Sequence, residues 1–471
     1  MSEPRRVLGT VARLQGEVTD LGDQDALEIR IRYRELNTDE WLTSDPVTVS
    51  DTRRFTVDLT DLVRQRYYRY YAVATVDGEK ITSDRRLFGT PSGSSPHESQ
   101  PWSDDRLGPK SGFASMAPWL NDNTPHVIVR EPTRDQLETA FGVAAPRVVT
   151  FATSGTVDLG GEAIPIPNDR CWVAGQVAPD PGITLVNGEL RIEGSRCVVQ
   201  HLRVRPGDAG GSSDGEWAPS GIRVADGASD VVLDHCSVSW AVDSGVSVGT
   251  EAAGVTVSNC LVAEGLQNAT HPDGRAGHGV VVGDAAGEVA LLANAFAFNN
   301  GGHPELGSDA RAAVANDLVH TYRSGVGLAG GSAAALVGGV FEDPRTDGPL
   351  VTGSGTVSVE DTTVGGNAPG VADGVSRVDS RPLWPEGLSP LAGDETKGHA
   401  LANAGARPAS RTDVDARIVE NVRSGSGGYV DSQEGVGGFP SLPANEGEAD
   451  PPESGVRLWL YQQASAVEPG E

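Results

Sequence analysis

Two hydrophobic rhythms divide this 471-residue chain. Between residues 5 and 91, apolar and polar side chains alternate in short runs such as LEIRIRYREL, FTVDLTDL and YYRYYAVATV. Period two broken by turn residues predicts antiparallel strands folded as a small β-sandwich over residues 1–91. Residues 92–124 lose the rhythm and are rich in Ser, Pro and Gly, which predicts a linker laid along a neighbouring surface. From about residue 145 to 375 one unit recurs: a short apolar strand, a polar or glycine corner, another short strand. Aligning VVQHLRV, VLDHCSV, VTVSNCLV, VALLANAFAF and AAVANDLVH places Leu202, Cys236, Cys260, Asn294 and Asn316 in one interior column. A rung of about 22 to 24 residues with inserts at two places is the mark of a solenoid, because each rung buries its inward face only against its neighbours. The predicted fold class is all-β: a right-handed parallel β-helix preceded by a small antiparallel sandwich. Asn294 and Asn316 are expected to bond one another and the turn backbone at a corner.

Composition then narrows the function. With 60 Gly and 30 Pro the chain is turn-rich, which excludes a helical bundle. A formal net charge of −28 disfavours a bare nucleic-acid binder. Only Lys80, Lys110 and Lys397 are lysines, so nearly all positive charge is arginine, and the balance is similar to that of proteins from extreme halophiles. No run approaches a membrane span, and the first twenty residues hold no apolar signal core. The adjacent Arg5 and Arg6 lack the hydrophobic segment that a twin-arginine address requires. Cys171, Cys197, Cys236 and Cys260 form no CxxC pair and are expected to be buried free thiols. The GG pairs at 301, 330 and 338 read as tight corners, not phosphate cradles.

Two resemblances add to this. Trp41, Phe55 to Leu62 and Tyr67 to Val76 resemble the fibronectin type III family, which implies that a tryptophan and a late tyrosine strand pack between two sheets. The stretches RVVTFATSGTVDLGG, WVAGQVAPDPGITL, VVQHLRVRPGD, VVLDHCSVSWAVD, VTVSNCLVAEGL, HGVVVGD and FAFNNGGHPEL resemble the pectate lyases and related pectin-lyase-like β-helix proteins, in the family's order. That resemblance implies a β-helix over residues 125–400 and a tail over 401–445 that wraps back over it. Residues 446–471 then read as an acidic spacer and a terminal strand, VRLWLY.

The chemistry implied by the second resemblance is β-elimination beside a uronate carboxylate, with calcium and cationic side chains neutralising that carboxylate. The positions matching the family's acidic ligand run are Ala218, Ser220, Ile222 and Val224; Asp243 fills one further acidic ligand position, and Ser247 stands where another acid would be. A calcium ion wants more charged oxygens than this, so the metal site reads as degenerate around Asp243. The family's catalytic arginine falls on Gly302, and Glu305 replaces a second arginine. His303, assisted by His278 or Asp234, is the candidate replacement base. Arg203, Arg205, Asp234, His271 and Glu305 are the expected substrate contacts, the two arginines alternating on one strand face. In the competing reading the arginines pair with nearby acids, and Asp234 with His235 ties rungs together.

The expected function is recognition of an extended, acidic polysaccharide, with the lyase residues largely lost; the alternative is an active lyase or hydrolase with a rearranged site. Glycan-directed β-helices act outside cells, so the expected location is extracellular or virion-associated. A host-attachment role would have the N-terminal sandwich dock on a particle or surface partner. The oligomeric state is not legible.

Overall fold

The structure is a computed structural model; it describes all residues except 2, 3, 5, 8, 51, 53, 77, 78, 93–105, 209–216, 275, 470 and 471. Residues 93–105 of the expected linker therefore lie outside the described residues.

From His126–Val129 to Ser376–Arg377 the chain visits three parallel sheets in turn, of 11, 9 and 8 strands, building the β-solenoid. We call them the long, middle and third sheets. Strand parity explains the core: in V-x-V segments alternate side chains turn inward and meet like residues on the next rung, about 4.8 Å away. In the long sheet Val173, Val199, Leu233, Val257, Leu291 and Val314 are successive partners. In the third sheet Ile166, Ile192, Val224, Val248, Val282 and Leu306 do the same. All are buried in one continuous cluster with Cys171, Cys197, Cys236 and Cys260, whose thiols are free.

The expected interior column needs a one-residue correction. Leu202, Cys236, Cys260 and Asn294 occupy equivalent positions, but the next member is Asp317, not Asn316, because the sheet register pairs Leu292 with Ala315. Asn294 accepts from the Cys260 N–H at 2.9 Å and donates through its own N–H and Nδ2 to Asp317 Oδ1 at 2.8 and 3.1 Å. Asn316 belongs to the preceding column, with His201, His235, Asn259 and Ala293. These all have φ between 48° and 54°, the left-handed bend that turns each rung from the long to the middle sheet. Asn316 Nδ2 donates to Gly338 O, Leu391 O and Thr396 Oγ1, so the two asparagines do not bond to each other.

The outward faces differ from sheet to sheet, and that difference places the site. On the long sheet the outward column Val148, Trp172, Val198, Val232, Thr256 and Ala290 is mostly apolar. Residues 107–120, with Ala114, Met116 and Leu120, cover it, helped by the terminal helix. On the middle sheet Leu261, Ala263, Ala295, Ala297 and Leu318 lie under two helices of the tail. On the third sheet the outward column is Arg191, Arg223, Ser247, Val281 and Glu305 in successive register, mostly polar, and its charged members stay partly exposed. With no apolar stripe there to bury, no helix among the described residues covers it.

Four α-helices finish the molecule: α1 (Arg134–Phe141), α2 (Gly393–Asn403), α3 (Asp413–Ser424) and α4 (Val456–Ser465). α1 closes the first rung, burying Leu137, Ala140 and Phe141 in the solenoid core. α4 corrects the expected terminal strand. Val456, Leu460 and Ala464, four residues apart, are its buried positions, so the helical period governs VRLWLYQQA.

The N-terminal residues form two antiparallel sheets, of three and six strands, around Leu14, Ile29, Ile31, Phe55, Val57 and Tyr70. Leu36 and Tyr67 join the solenoid core, and Tyr67 Oη donates to Pro146 O at 2.6 Å. Glu35 bridges Arg66 (3.3 Å) and Arg130 (2.7 Å) at the same junction. The core tyrosines are Tyr68 and Tyr70, but Trp41 is not between the sheets. It lies on the outer face of the six-stranded sheet, edge-on to Tyr71 with ring centroids 5.1 Å apart.

Candidate functional site

The open face of the third sheet gathers its polar groups around Glu189, Arg191 and Arg223. Ile222 and Val224 point inward, so strand parity turns Arg223 out; register sets Arg191 beside it on the previous rung. The carboxylate of Glu189, only 4% exposed, receives both guanidiniums: Arg191 Nη2 at 3.0 Å and Arg223 Nε at 3.2 Å. It also accepts the Ser220 N–H at 3.0 Å. Arg223 donates further to Ser220 Oγ (3.0 Å) and Ser247 Oγ (3.4 Å), and its Nη2 is 3.7 Å from Asp243 Oδ2. The side chains of Arg191 and Arg223 remain about two-fifths and one-third exposed, while Glu189 fixes the orientation of their guanidiniums from below.

This arrangement answers the question of calcium. Ser220, Asp243 and Ser247 do surround one place, and the guanidinium of Arg223 fills it. Their oxygens already accept its N–H groups, or each other's hydroxyls, as in Ser220 Oγ to Asp243 Oδ2 at 3.2 Å. A divalent ion would meet a like charge and too few free carboxylate oxygens, so these residues do not fit calcium, and Asp243 is corrected from metal ligand to partner of Arg223.

The other expected residues divide between this face and the interior. His271 stands on the same face, Nε2 3.7 Å from Asp243 Oδ1. His278 is half-buried; burial pulls its pKa down and Asp243 opposes that. Glu305 is half-buried in the outward column, and burial pushes its carboxyl up. His303 does not reach the surface. It is 2% exposed, packs edge-on against Phe296 and Tyr322, and its Nδ1 lies 3.2 Å from Ser324 O. Burial pulls its pKa down to about 3, so it is no proton acceptor for a polymer outside.

Arg203 and Arg205 are likewise corrected. They share one outward face of the middle sheet, but α3 covers that face, both are fully buried, and both pair with Asp415. Asp234 is 1% exposed; it accepts from Gln200 Nε2 (2.8 Å) and Ser258 Oγ (2.7 Å) and lies 3.1 Å from His235 Nδ1. It ties rungs together rather than contacting substrate.

The histidine in the core yields a prediction. An unfolded histidine titrates near 6.5 and His303 near 3, so the unfolded state binds the extra proton and stability falls as pH drops through that window. In urea unfolding between pH 6.5 and 4.5, His303→Phe is expected to flatten the decline by about 1 kcal/mol per pH unit on average, most steeply at the acid end. An unchanged slope would show that His303 is protonated in the folded protein.

A second cluster sits at the bend between the long and middle sheets. The rings of His201 and His235 stack 5.0 Å apart, and Glu468, beyond α4, lies 3.3 Å from His201 Nε2 and 3.7 Å from His235 Nδ1. The Arg407 N–H donates to His201 Nδ1 at 3.2 Å, which leaves the proton of the neutral ring on Nε2, facing Glu468. That tautomer has no lone pair to offer a metal at Nε2, and the cluster reads as a polar tie between the terminal segment and two rungs.

No protein-family model matches the chain. A probable pectate lyase C of Emericella nidulans is 28% identical over 330 residues, covering 66% of this chain and 74% of the relative. One from Aspergillus terreus is 28% identical over 320 residues, covering 63% and 72%. Among solved structures, a mutant Bacillus subtilis pectate lyase aligns at 14% identity with TM-score 0.48 over 60% of this chain and 91% of its own. The major allergen of cedar pollen, Jun a 1, aligns at 13% identity with TM-score 0.46 over 60% and 88%. The chain is thus a parallel β-solenoid whose sequence is similar to those of probable pectate lyases.

Proposed function

We propose that the chain binds an extended acidic polysaccharide along the open face of the third sheet, with Arg191 and Arg223 receiving its carboxylate or sulfate groups. The observation that carries this reading is the shared buried carboxylate of Glu189. It holds two guanidiniums on neighbouring rungs, about 4.8 Å apart in the direction a polymer would run. A fork fixed in this way gives up little side-chain freedom on capturing an anion. The likeness to probable pectate lyases supports the ligand class.

On this reading the inherited elimination chemistry is lost. Gly302 has φ 70°, and a Cβ added there would lie 2.9 Å from Val280 O, so this backbone does not present an arginine base. A second reading, cleavage by rearranged residues, draws on Glu305, whose carboxyl burial pushes up and which stands on the same outward column as Arg223. Retention on immobilised polygalacturonate and on a sulfated polymer, but not on a neutral one, is the expected result. Unsaturated products or new reducing ends would favour the second reading, and no retention on any acidic polymer would end the first. Host attachment is a finer form of the binding reading, checked by looking for the chain among the proteins of purified particles.

A further inference from the structure

The N-terminal sandwich carries a basic face that the groove does not use. On the six-stranded sheet Ile29 and Ile31 point into the sandwich core, so Arg30, Arg32 and Arg34 point out of it. Register places Arg69 opposite Arg34 and Tyr71 opposite Arg32. The guanidiniums of Arg32 and Arg34 lie 5.8 and 5.0 Å from the Trp41 ring centre, and that of Arg85 lies 5.7 Å from Tyr71. Five arginines thus share one face, and nearby carboxylates answer two of them: Glu28 to Arg30 at 3.4 Å, and Asp39 to Arg34 at 3.7 Å. Arg32, Arg69 and Arg85 have no ion pair among the described residues. Burial and the like charges of Arg34 and Arg85 pull the Arg69 pKa down, the sign of an uncompensated cluster.

In a chain of net charge −28, such a cluster opposes the general balance. Self-repulsion disfavours it, and the aromatic faces of Trp41 and Tyr71 hold the guanidiniums of Arg32 and Arg85, for which no carboxylate among the described residues is a partner, while Arg34 is also held by Asp39 and the Thr38 carbonyl.

We propose that this face is a second binding surface for acidic polysaccharide, so that the sandwich and the solenoid groove grip one polymer at two places. The charge of the face selects a polyanion, and pre-aligned planar forks suit carboxylate or sulfate groups spaced along a chain. The proposal rests on the groove reading only for the identity of the ligand; the face stands on its own residues.

The test uses the full chain at low salt, oligogalacturonates and longer polygalacturonate as probes, and variants at the partly buried Arg32 and the exposed Arg85. Arg32→Gln with Arg85→Gln is expected to weaken binding of the long polymer by at least about tenfold, through loss of two-site attachment, while short oligomers that fill only the groove bind unchanged. Arg32→Lys with Arg85→Lys, which keeps the charge and removes the fork, should recover only part of the loss. Unchanged affinity for the long polymer in the glutamine pair overturns the proposal. So does a preference of this face for oligonucleotide over polymer, or a change in sedimentation of the protein alone, which would assign the face to nucleic acid or to a second copy. Loss of short-oligomer binding in Arg191→Gln with Arg223→Gln reports on the groove separately, so either site can fail without the other.

Discussion

Replacing Asp415 by alanine is expected to cost about 3–5 kcal/mol of unfolding free energy. Asp415 Oδ1 accepts from Arg205 Nη2 at 2.8 Å, and Oδ2 accepts from Arg203 Nε at 3.2 Å and Ser237 Oγ at 2.8 Å. All three charged side chains are fully buried between the middle sheet and α3. Removing the one carboxylate leaves two guanidiniums without a counter-charge, and they cannot reach water while α3 stays in place. Arg205 also lies over the Trp240 ring at 5.2 Å, which fixes it in the interior. Urea unfolding followed by far-UV dichroism reads the loss. A triple replacement of the two arginines and the aspartate by apolar residues of similar volume should recover most of it. Acid acts on the same site. Burial alone would push the Asp415 carboxyl up, but Arg205 and Arg203 overcome this and hold it below its ordinary value. Its contribution is therefore complete above the unfolded carboxylate value near 3.9 and is lost as pH falls through the lower folded value.

The second large effect concerns binding. Arg191→Gln with Arg223→Gln is expected to weaken oligogalacturonate binding by about two powers of ten, since each charge-assisted contact contributes about 1.5–3 kcal/mol. Arg191→Gln alone, at the more exposed position, should cost about tenfold. Calorimetric titration of each variant, with its melting temperature measured alongside, checks both. A double variant that melts like the wild type and binds as tightly would remove the groove from the account.

How much of this was legible beforehand depends on distance along the chain. The rung is local: six or seven residues of V-x-V patterning and a corner repeat often enough to reveal the solenoid. The register failed at Asn316, because the step from Asn294 to its equivalent Asp317 is one residue longer than the neighbouring Asn suggested. Arg223 is hidden in the sequence for a different reason. The family's ligand run occupies alternate positions, 218, 220, 222 and 224, and attention to that parity skips the residue between them that faces out. Glu189, which aims both groove arginines, had no motif to mark it. Arg203 and Arg205 were correctly placed on one outward face, but the acid that closes over them stands 210 and more residues away on α3. No spacing within a strand could announce it. The motif offers His303 as a base, and only three-dimensional packing shows its ring enclosed by Phe296 and Tyr322. VRLWLY supports either period, and the buried spacing of Val456, Leu460 and Ala464 decides for the helix.

The central claim is that a guanidinium, not a metal ion, supplies the cation of the groove. It is tested most directly by titrating the full chain with a short oligogalacturonate in calcium-containing buffer, in chelator, and again in chelator with Arg223→Gln. Equal affinity in the first two and a collapse in the third is the result predicted by the contacts of Arg223 with Glu189, Ser220 and Ser247. Binding that vanishes with chelator and survives the loss of Arg223 would contradict it.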